Sequence, residues 1–356
     1  MTVIVTGGAG FIGSALVRRL NAQGRRVVTI DKLTYAGNPD NLAGLPQPDL
    51  HRFEQVDICD RAVIRRIYAE TRPVAVYHLA AESHVDRSID SPAPFIETNV
   101  TGSLVLLEAA LEHWRGLDAT AQGQFRHLQV STDEVYGELG ATGLFDENSS
   151  YKPNSPYAAS KAAADHLARA FGRTYGLPVL VTNCGNNYGP YQFPEKLIPL
   201  TILNALEGKA LPIYGKGEQV RDWIHVDDHA AALQMAVEKG RPGETYLVGA
   251  RGEQRNIDLV HRLCAILDDL VPRQGSRKYA ELITFVTDRP GHDARYAINP
   301  SKCEQELGWR PQYDLASGLK ATVQWYLDNS AWCRRASQAY DRGRIGLGSQ
   351  GLGKAG

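Results

Sequence analysis

The sequence predicts an α/β fold built on a doubly wound parallel sheet, followed by a smaller C-terminal lobe. Residues 2–6 form a short apolar run that ends in a glycine cluster, after which apolar residues repeat at helical spacing. Further strand-like runs are separated by segments long enough for crossover helices. They lie at residues 26–30, 74–78, 125–130 and 179–182. Beyond residue 185 this alternation gives way to loops rich in Gly and Pro, which predicts the second lobe.

Two long helices are expected in the first part of the chain, at residues 92–113 and 156–175. The second opens with Ser155 as N-cap and Pro156 at the first helical position. Shorter helical patterns follow at residues 196–207, 226–238, 257–270 and 315–328. We therefore expect a first domain over residues 1–185, a smaller lobe over 186–333 whose chain can cross back to the sheet, and a flexible tail over 334–356.

Composition excludes several classes of protein. A formal charge of −1 over 356 residues argues against a nucleic-acid surface or a polybasic membrane contact. No stretch reaches the roughly 18 uninterrupted apolar residues of a membrane span, and Met1 leads directly into a strand, so a cytoplasmic location is expected. The 5 cysteines are scattered and lack a CxxC pair, so neither a disulfide framework nor a metal site is expected.

A dinucleotide site is predicted at the first turn of a Rossmann-like domain. Gly7, Gly10 and Gly13 stand between the first strand and its helix, where glycine lets the backbone approach a pyrophosphate and the helix offers free N–H groups. Asp31 ends the next strand, where a carboxylate accepts hydrogen bonds from ribose hydroxyls and repels a 2′-phosphate. A glycine cluster alone can be merely a tight turn, but this context favours NAD.

Neighbouring strand ends extend the expected site, because ligands of open α/β sheets bind at the carboxyl ends of strands. Asp57 follows a further probable strand and could reach the adenine edge. The small residues Ala80, Ala81 and Ser83 follow the fourth strand and would let the cofactor lie against the backbone.

Five residues form a candidate catalytic group. Tyr157 and Lys161 lie four positions apart on one helix and project from the same face, so the ammonium and a positive nicotinamide ring could stabilise a phenolate near neutral pH. Thr132 ends the fifth strand. Asp133 and Glu134 follow it, and neighbouring charge with partial burial can give them different protonation states. Such a pair suggests oxidation coupled to loss of water, although two carboxylates can also merely cap a loop.

With these residues the chain resembles the dTDP-glucose 4,6-dehydratase family of the extended short-chain dehydrogenase/reductase superfamily, over roughly residues 1–330. Besides the glycine fingerprint and the catalytic group, several motifs carry the resemblance. They are DKLTYAGN (31–38), AAESHVD (80–86), NNYGP (186–190), PEKL (194–197), RDW (221–223) and DRPGHD (288–293). Gly185 departs from the pattern, since the family has Ser or another small polar residue there.

The resemblance implies a three-stage reaction on a nucleotide sugar. Tyr157, helped by Lys161 and Thr132, takes the proton of the glucose 4-hydroxyl as hydride leaves C4 for NAD. Glu134 then removes the C5 proton while protonated Asp133 delivers one to the departing 6-hydroxyl, and hydride returns to C6. The expected product is a 4-keto-6-deoxy sugar nucleotide for deoxysugar synthesis, for example of rhamnose.

The resemblance also implies which residues bind the tightly held, regenerated NAD and the dTDP-sugar. For NAD they are Gly7, Gly10, Phe11, Ile12, Gly13, Asp31, Lys32, Leu33, Thr34, Asp57, Ile58, Leu79, Ala80, Ala81, Ser83, Thr98, Tyr157, Lys161 and Asn187. For the dTDP-sugar they are Ser83, Thr132, Asn186, Lys196, Leu197, Pro212, Ile213, Tyr214, Arg221, Asn256, Asp288, Arg289, Pro290, Gly291 and His292. A homodimer is implied as well, in which residues 92–113 and 156–175 pair as a four-helix bundle. On the residues alone, these apolar faces could simply cover the sheet.

Two other functions remain open on the residues alone. A 4-epimerase or a decarboxylase of the same superfamily is one, but an epimerase needs no acid and base to remove water, so the Asp133–Glu134 pair speaks against it. A non-catalytic NAD-binding sensor protein is the other, and it would not require all five candidate catalytic residues together. Nothing in the loops distinguishes thymine from uracil.

Overall fold

The computed structural model describes residues 1–338, and a seven-stranded parallel sheet forms its central layer. The strands of the described residues are β1 Thr2–Thr6, β2 Arg26–Asp31, β3 His51–Gln55, β4 Ala75–His78, β5 Arg126–Thr132, β6 Val179–Cys184, β7 Asn186–Tyr188, β8 Leu211–Tyr214, β9 Val220–His225, β10 Thr245–Val248, β11 Glu253–Arg255 and β12 Ile283–Val286. The α-helices are α1 Phe11–Ala22, α2 Arg61–Thr71, α3 Val85–Asp90, α4 Ala93–Phe95, α5 Ser103–Arg115, α6 Ala119–Gln124, α7 Pro156–Tyr175, α8 Leu197–Leu206, α9 Val226–Lys239, α10 Asn256–Leu270, α11 Leu315–Asp328 and α12 Ser330–Gln338.

The sheet order is β3-β2-β1-β4-β5-β6-β10, and every neighbouring pair is parallel. The strand order reverses between β1 and β4, which opens a crevice at the carboxyl ends of these strands. Smaller sheets, β11-β9-β7 and β12-β8, belong to the second lobe. The fold class predicted from the sequence is confirmed.

Alternation along β1 explains how helices cover both faces of the sheet. Val3 and Val5 pack into a core with Leu16 of α1 and Leu233 of α9, whereas Ile4 faces the core on the α2, α5 and α7 side. A period of two therefore buries both faces of a parallel strand. No helix within residues 1–338 is long and apolar enough to cross a membrane.

The chain after residue 185 contributes to both lobes. Strand β10 extends the central sheet beside β6, and α9 packs against α1, so the chain crosses back to the first layer. The second lobe has its own core, which includes Trp223, Leu259 and Leu319. The predicted division into two domains at residue 185 therefore stays a proposal. In it, β10 and α9 belong to the first domain although they follow residue 185 in the chain.

The helices predicted at residues 156–175 and 315–328 have those bounds, but the one predicted at 92–113 is interrupted. Its middle, Ile96–Gly102, is a π-helical segment between α4 and α5. There Asn99 receives a hydrogen bond from the backbone N–H of Glu82 at 2.8 Å and donates one to its carbonyl at 3.0 Å. These bonds connect the π-helical turn to the segment that follows β4. Such turns are frequent at functional sites.

The predicted boundary of the tail is wrong for residues 334–338, because α12 continues to Gln338. Trp332 and Cys333 anchor this helix in the core of the second lobe, and the indole of Trp332 donates to Asn41 at 2.9 Å. So short a helix shows too little apolar periodicity to be recognised from sequence. The rest of the predicted tail, residues 339–356, lies outside the described residues.

Candidate active site

A cavity of about 300 Å³ opens at the carboxyl ends of the central strands. Most of the residues predicted from the first domain line it. These are Gly7, Gly10, Phe11, Ile12, Gly13, Asp31, Lys32, Thr34, Ile58, Leu79, Ala80, Ala81, Ser83, Thr98, Thr132, Asp133, Glu134, Tyr157 and Lys161. The predicted residues Asn186, Asn187 and Lys196, which follow residue 185, line it as well. The predicted cofactor residues Leu33 and Asp57 are not on its wall, nor are most of the predicted substrate residues.

The glycine turn forms a cradle with no room for side chains. A Cβ on Gly7 would lie 2.7 Å from the backbone N of Ala80, and one on Gly13 would collide with the carbonyl of Gly7. Gly7 also has a φ of 68°, in the left-handed region that favours glycine. Gly10 caps α1 without a side-chain hydrogen bond, so the N–H groups of the first turn stay available. The cradle fits the pyrophosphate of NAD.

Asp31 is held with its carboxylate at the cavity. One oxygen accepts the N–H of Ala9 at 3.0 Å and the other accepts that of Leu33 at 2.9 Å. Burial raises the pKa of Asp31, and these two N–H groups lower it in part. Because each carboxylate oxygen has a further lone pair, both can still accept a ribose hydroxyl. Leu33 thus serves the site by its backbone, although its side chain is off the wall.

Lys32 and Asp57 pair with each other beside this position. The Lys32 ammonium lies 3.4 Å from the Asp57 carboxylate and donates to the hydroxyl of Thr98 at 3.0 Å. Burial would raise the pKa of Asp57, but the Cys59 N–H and Lys32 hold it below its usual value. Contact between Asp57 and the adenine edge therefore stays a prediction, since its carboxylate is here engaged with Lys32.

Tyr157 and Lys161 project from α7 into the same cavity. Lys161 is buried and donates to the carbonyl of Val130 at 2.7 Å, and burial lowers its pKa. Burial and the charge of Glu134 raise the pKa of Tyr157 well above its usual value, while hydrogen bonding to Thr132 opposes the rise. The predicted stabilisation of the phenolate needs the positive nicotinamide ring as well as Lys161, so it stays a prediction.

Asp133 and Glu134 occupy different environments although they are adjacent. Asp133 is 1% exposed, and burial and the neighbouring Glu134 raise its pKa well above its usual value. The side chain of Glu134 is half-buried. Burial raises its pKa, but the cations of Arg289 and Arg221 oppose that rise. Both pKa values are raised, and that of Asp133 is raised well above its usual value, so Asp133 is the carboxyl favoured to hold a proton, as the acid of an acid and base pair must.

Several predicted substrate residues of the second lobe contact α3 or one another, away from the cavity wall. Arg289 donates to Asp86 of α3 at 2.9 Å, as does the Tyr214 hydroxyl. His292 lies 2.7 Å from Asp288, and its ring packs edge-on against that of Tyr214. The predicted residues that do not line the cavity are Leu197, Pro212, Ile213, Tyr214, Arg221, Asn256, Asp288, Arg289, Pro290, Gly291 and His292.

Several cavity residues were missed by sequence reasoning. They are Ala36, Gly37, Val56, Glu82, Val130, Ser131, Cys184, Gly185, Gln192, Phe193 and Glu195. Applying the strand-end rule to β6 would have identified Cys184 and Gly185. The structure also explains Gly185, where the resemblance predicts a small polar residue: a Cβ there would lie 2.6 Å from the carbonyl oxygen of Asp222.

Comparisons with known proteins agree with this geometry. The family model described as GDP-mannose 4,6 dehydratase matches residues 4–322. The chain is similar to dTDP-glucose 4,6-dehydratase of Shigella flexneri, with 57% identity covering 93% of this chain and 94% of the relative. For the enzyme of Neisseria meningitidis serogroup B the identity is 55%, covering 97% and 99%.

Two solved structures give the same picture. That of dTDP-glucose 4,6-dehydratase from Streptomyces venezuelae with NAD and TYD bound has a TM-score of 0.85 and 45% identity, covering 94% of this chain and 100% of its own. That of Thermus thermophilus UDP-glucose 4-epimerase with NAD has a TM-score of 0.80 and 30% identity, covering 92% and 100%.

Proposed function

The chain belongs to the GDP-mannose 4,6-dehydratase family, and on that premise we propose that its substrate is dTDP-glucose. It is an NAD-dependent hydro-lyase that forms dTDP-4-dehydro-6-deoxyglucose and water, a step in deoxysugar synthesis. The observation that carries this assignment is the pair of adjacent carboxyls, Asp133 and Glu134, held in unlike environments in the cavity that Tyr157 and Lys161 share.

The shape of the cavity supports the predicted cofactor residues. The Gly7–Gly13 turn would hold the pyrophosphate, Asp31 the adenosine ribose, and Lys161 the nicotinamide end. When bound, NAD supplies the hydride acceptor for C4 and the hydride donor for C6.

Side chains of the protein carry out the proton transfers. Tyr157 receives the proton of the sugar 4-hydroxyl, and Thr132 holds the reacting hydroxyls in line. The 4-ketone acidifies the C5–H bond, so Glu134 can remove that proton while Asp133 protonates the departing 6-hydroxyl. Glu134 then returns its proton to C5. Arg221 and Arg289, which lie near Glu134, would receive the diphosphate.

The activity is tested by incubating the protein with dTDP-glucose and measuring the absorbance that a ketosugar develops in alkali. We expect product to form without added reductant, and NMR of that product to show a C6 methyl group. UDP-glucose and GDP-mannose serve as parallel substrates. Inversion at C4 of another sugar without ketosugar would favour an epimerase, and turnover of none of them would favour the NAD-binding sensor.

We further propose a homodimer that pairs residues 92–113 and 156–175. Along α7, the exposed Ala159, His166 and Ala170 and the half-buried Ala163 repeat at spacings of three and four, which places them on one face. Ile96 in the neighbouring segment is 49% exposed. Small residues on a helix face allow close helix approach, which supports bundle formation.

The 5 free thiols support a reducing compartment, and we propose that the protein is located in the cytoplasm.

Ala170→Arg is expected to convert this dimer to a monomer, because the long cation would separate the paired helices and stay unpaired between them. Light scattering at micromolar concentration should then give a mass near 39.1 kDa in place of twice that value. Ala265→Arg, on an exposed position of α10, is the matched control and should leave the mass unchanged. A wild-type protein that already has the mass of one chain would contradict the proposal.

A further inference from the structure

The proposed reaction leaves its proton carriers out of balance after each turnover. Tyr157 has gained the proton of the 4-hydroxyl, and Asp133 has lost the proton that left with the 6-hydroxyl as water. Glu134 has returned its proton to C5 and is unchanged. One proton must therefore pass from Tyr157 to Asp133 before the next substrate reacts. This requirement rests on the proposed function and holds for any route that the proton takes.

Thr132 lies between the two groups that must exchange this proton. Its hydroxyl donates to the Asp133 carboxyl at 3.3 Å and accepts the backbone N–H of Glu134 at 3.3 Å. Thr132 and Tyr157 line the same cavity, and Thr132 lowers the pKa of Tyr157 as a hydrogen-bonding neighbour. A hydroxyl has one proton to donate and two lone pairs, so one lone pair remains for Tyr157. The three side chains can thus form a continuous chain of hydrogen bonds.

Burial makes this series of hydrogen-bonded side chains the short route for the proton. Tyr157 and Thr132 are each 8% exposed and Asp133 is 1% exposed. The second oxygen of Asp133 is buried and has no hydrogen-bond partner among residues 1–338. Bulk water therefore has little access to the carboxyl that must be protonated again, whereas the Thr132 hydroxyl already touches it.

We propose that Thr132 is a proton relay that returns a proton from Tyr157 to Asp133 at the end of each turnover. The O–H bond of Tyr157 breaks as a new O–H bond forms on the Thr132 oxygen. The original O–H bond of Thr132 breaks as one forms on Asp133. Tyr157 is left as phenolate, Asp133 as carboxylic acid and Thr132 as a hydroxyl, so no other reactant is needed. Burial and Glu134 raise the pKa of Asp133 and also that of Tyr157, so the transfer would need the positive ring of bound, oxidised NAD to favour the phenolate.

Replacing Thr132 by Val, which keeps the shape but lacks the hydroxyl, tests the relay. Rapid-quench measurement of ketosugar should show about one equivalent per active site, followed by turnovers about 10²-fold slower. Raising the imidazole concentration at constant pH and ionic strength should accelerate the slow phase, because a small buffer can carry the proton instead. Thr132→Ser keeps the hydroxyl and should show neither the burst nor the dependence on buffer.

A second measurement uses the wild-type protein, so the test does not depend on the Val variant being active. Its steady rate should be independent of imidazole concentration, and a rate that rises with buffer would overturn the internal relay. Linear, buffer-independent product formation by Thr132→Val would overturn it too and leave Thr132 an orienting role only. Thr322→Val, which removes a buried hydroxyl of α11, is the control for general packing effects. Absence of ketosugar from the wild type would instead reject the proposed function.

Discussion

Glu134→Gln lowers ketosugar formation by about 10²–10⁴-fold, as expected for the loss of a general base, while bound NAD is retained. The amide keeps the shape of the side chain but cannot take the C5 proton. Asp133→Asn should cause a loss of similar size for a different reason, because the 6-hydroxyl then leaves without a proton. Exchange of the C5 hydrogen with deuterated water separates the two roles. It should disappear in Glu134→Gln and persist in Asp133→Asn.

The pH profile gives an independent measure of the same assignment. Asp133 must be protonated to act as an acid, so activity falls as pH rises through its pKa, which burial and Glu134 have raised. Glu134 must be ionised to act as a base, so activity falls as pH decreases through its pKa, which burial has raised. The profile should therefore be bell-shaped, and its two apparent pKa values belong to the coupled pair.

Glu70→Gln is the control for these carboxylate changes. Glu70 is exposed and pairs with Arg52 and Arg66 at the surface, where ion pairs contribute little to stability. The turnover and the pH profile of the Glu70→Gln variant should match those of the wild type. If Asp133→Asn and Glu134→Gln both turned over at wild-type rates, the acid and base assignments would have to be abandoned.

Sequence reasoning succeeded where local spacing determines position. The glycine turn, Thr132 at a strand end and the pair Tyr157 and Lys161 on one helix all follow from short-range periodicity, and the structure brings them to one cavity. The same reasoning places Asp31 there, because parallel strands end at one edge of a sheet.

What the sequence did not predict depends on packing between distant parts of the chain. Arg289 is held by Asp86, which lies about two hundred positions earlier, and only the folded lobe brings its charge near Glu134. Spacing likewise reveals the nearby Lys161 but not the extent of the burial that raises the pKa of Tyr157. The reason for a glycine at position 185 could be found only from the position of the Asp222 carbonyl in the folded chain.

Gly13→Ala is expected to remove bound NAD, and activity with it, although it adds only one methyl group. That methyl would collide with the carbonyl of Gly7, so the turn would have to open where the pyrophosphate lies. Gly13 does not have a positive φ, so the effect arises from this collision and not from backbone strain. A displacement of this kind costs about 10²-fold or more in function. NAD released from the purified protein by acid, per mole of chain, measures the loss directly.

Gly140→Ala separates this effect from the general cost of replacing a glycine. A Cβ at Gly140 meets no atom of the described part of the chain within 4 Å, so that variant should keep its full NAD content and its thermal midpoint. If Gly13→Ala purified with the same NAD content as Gly140→Ala, the first turn could not be the pyrophosphate cradle. If Gly13→Ala instead lost NAD but kept its fold by circular dichroism, the defect would lie in the cradle itself. Added NAD should then restore activity only at concentrations far above those that saturate the wild type, because the cradle must be forced open each time the cofactor binds.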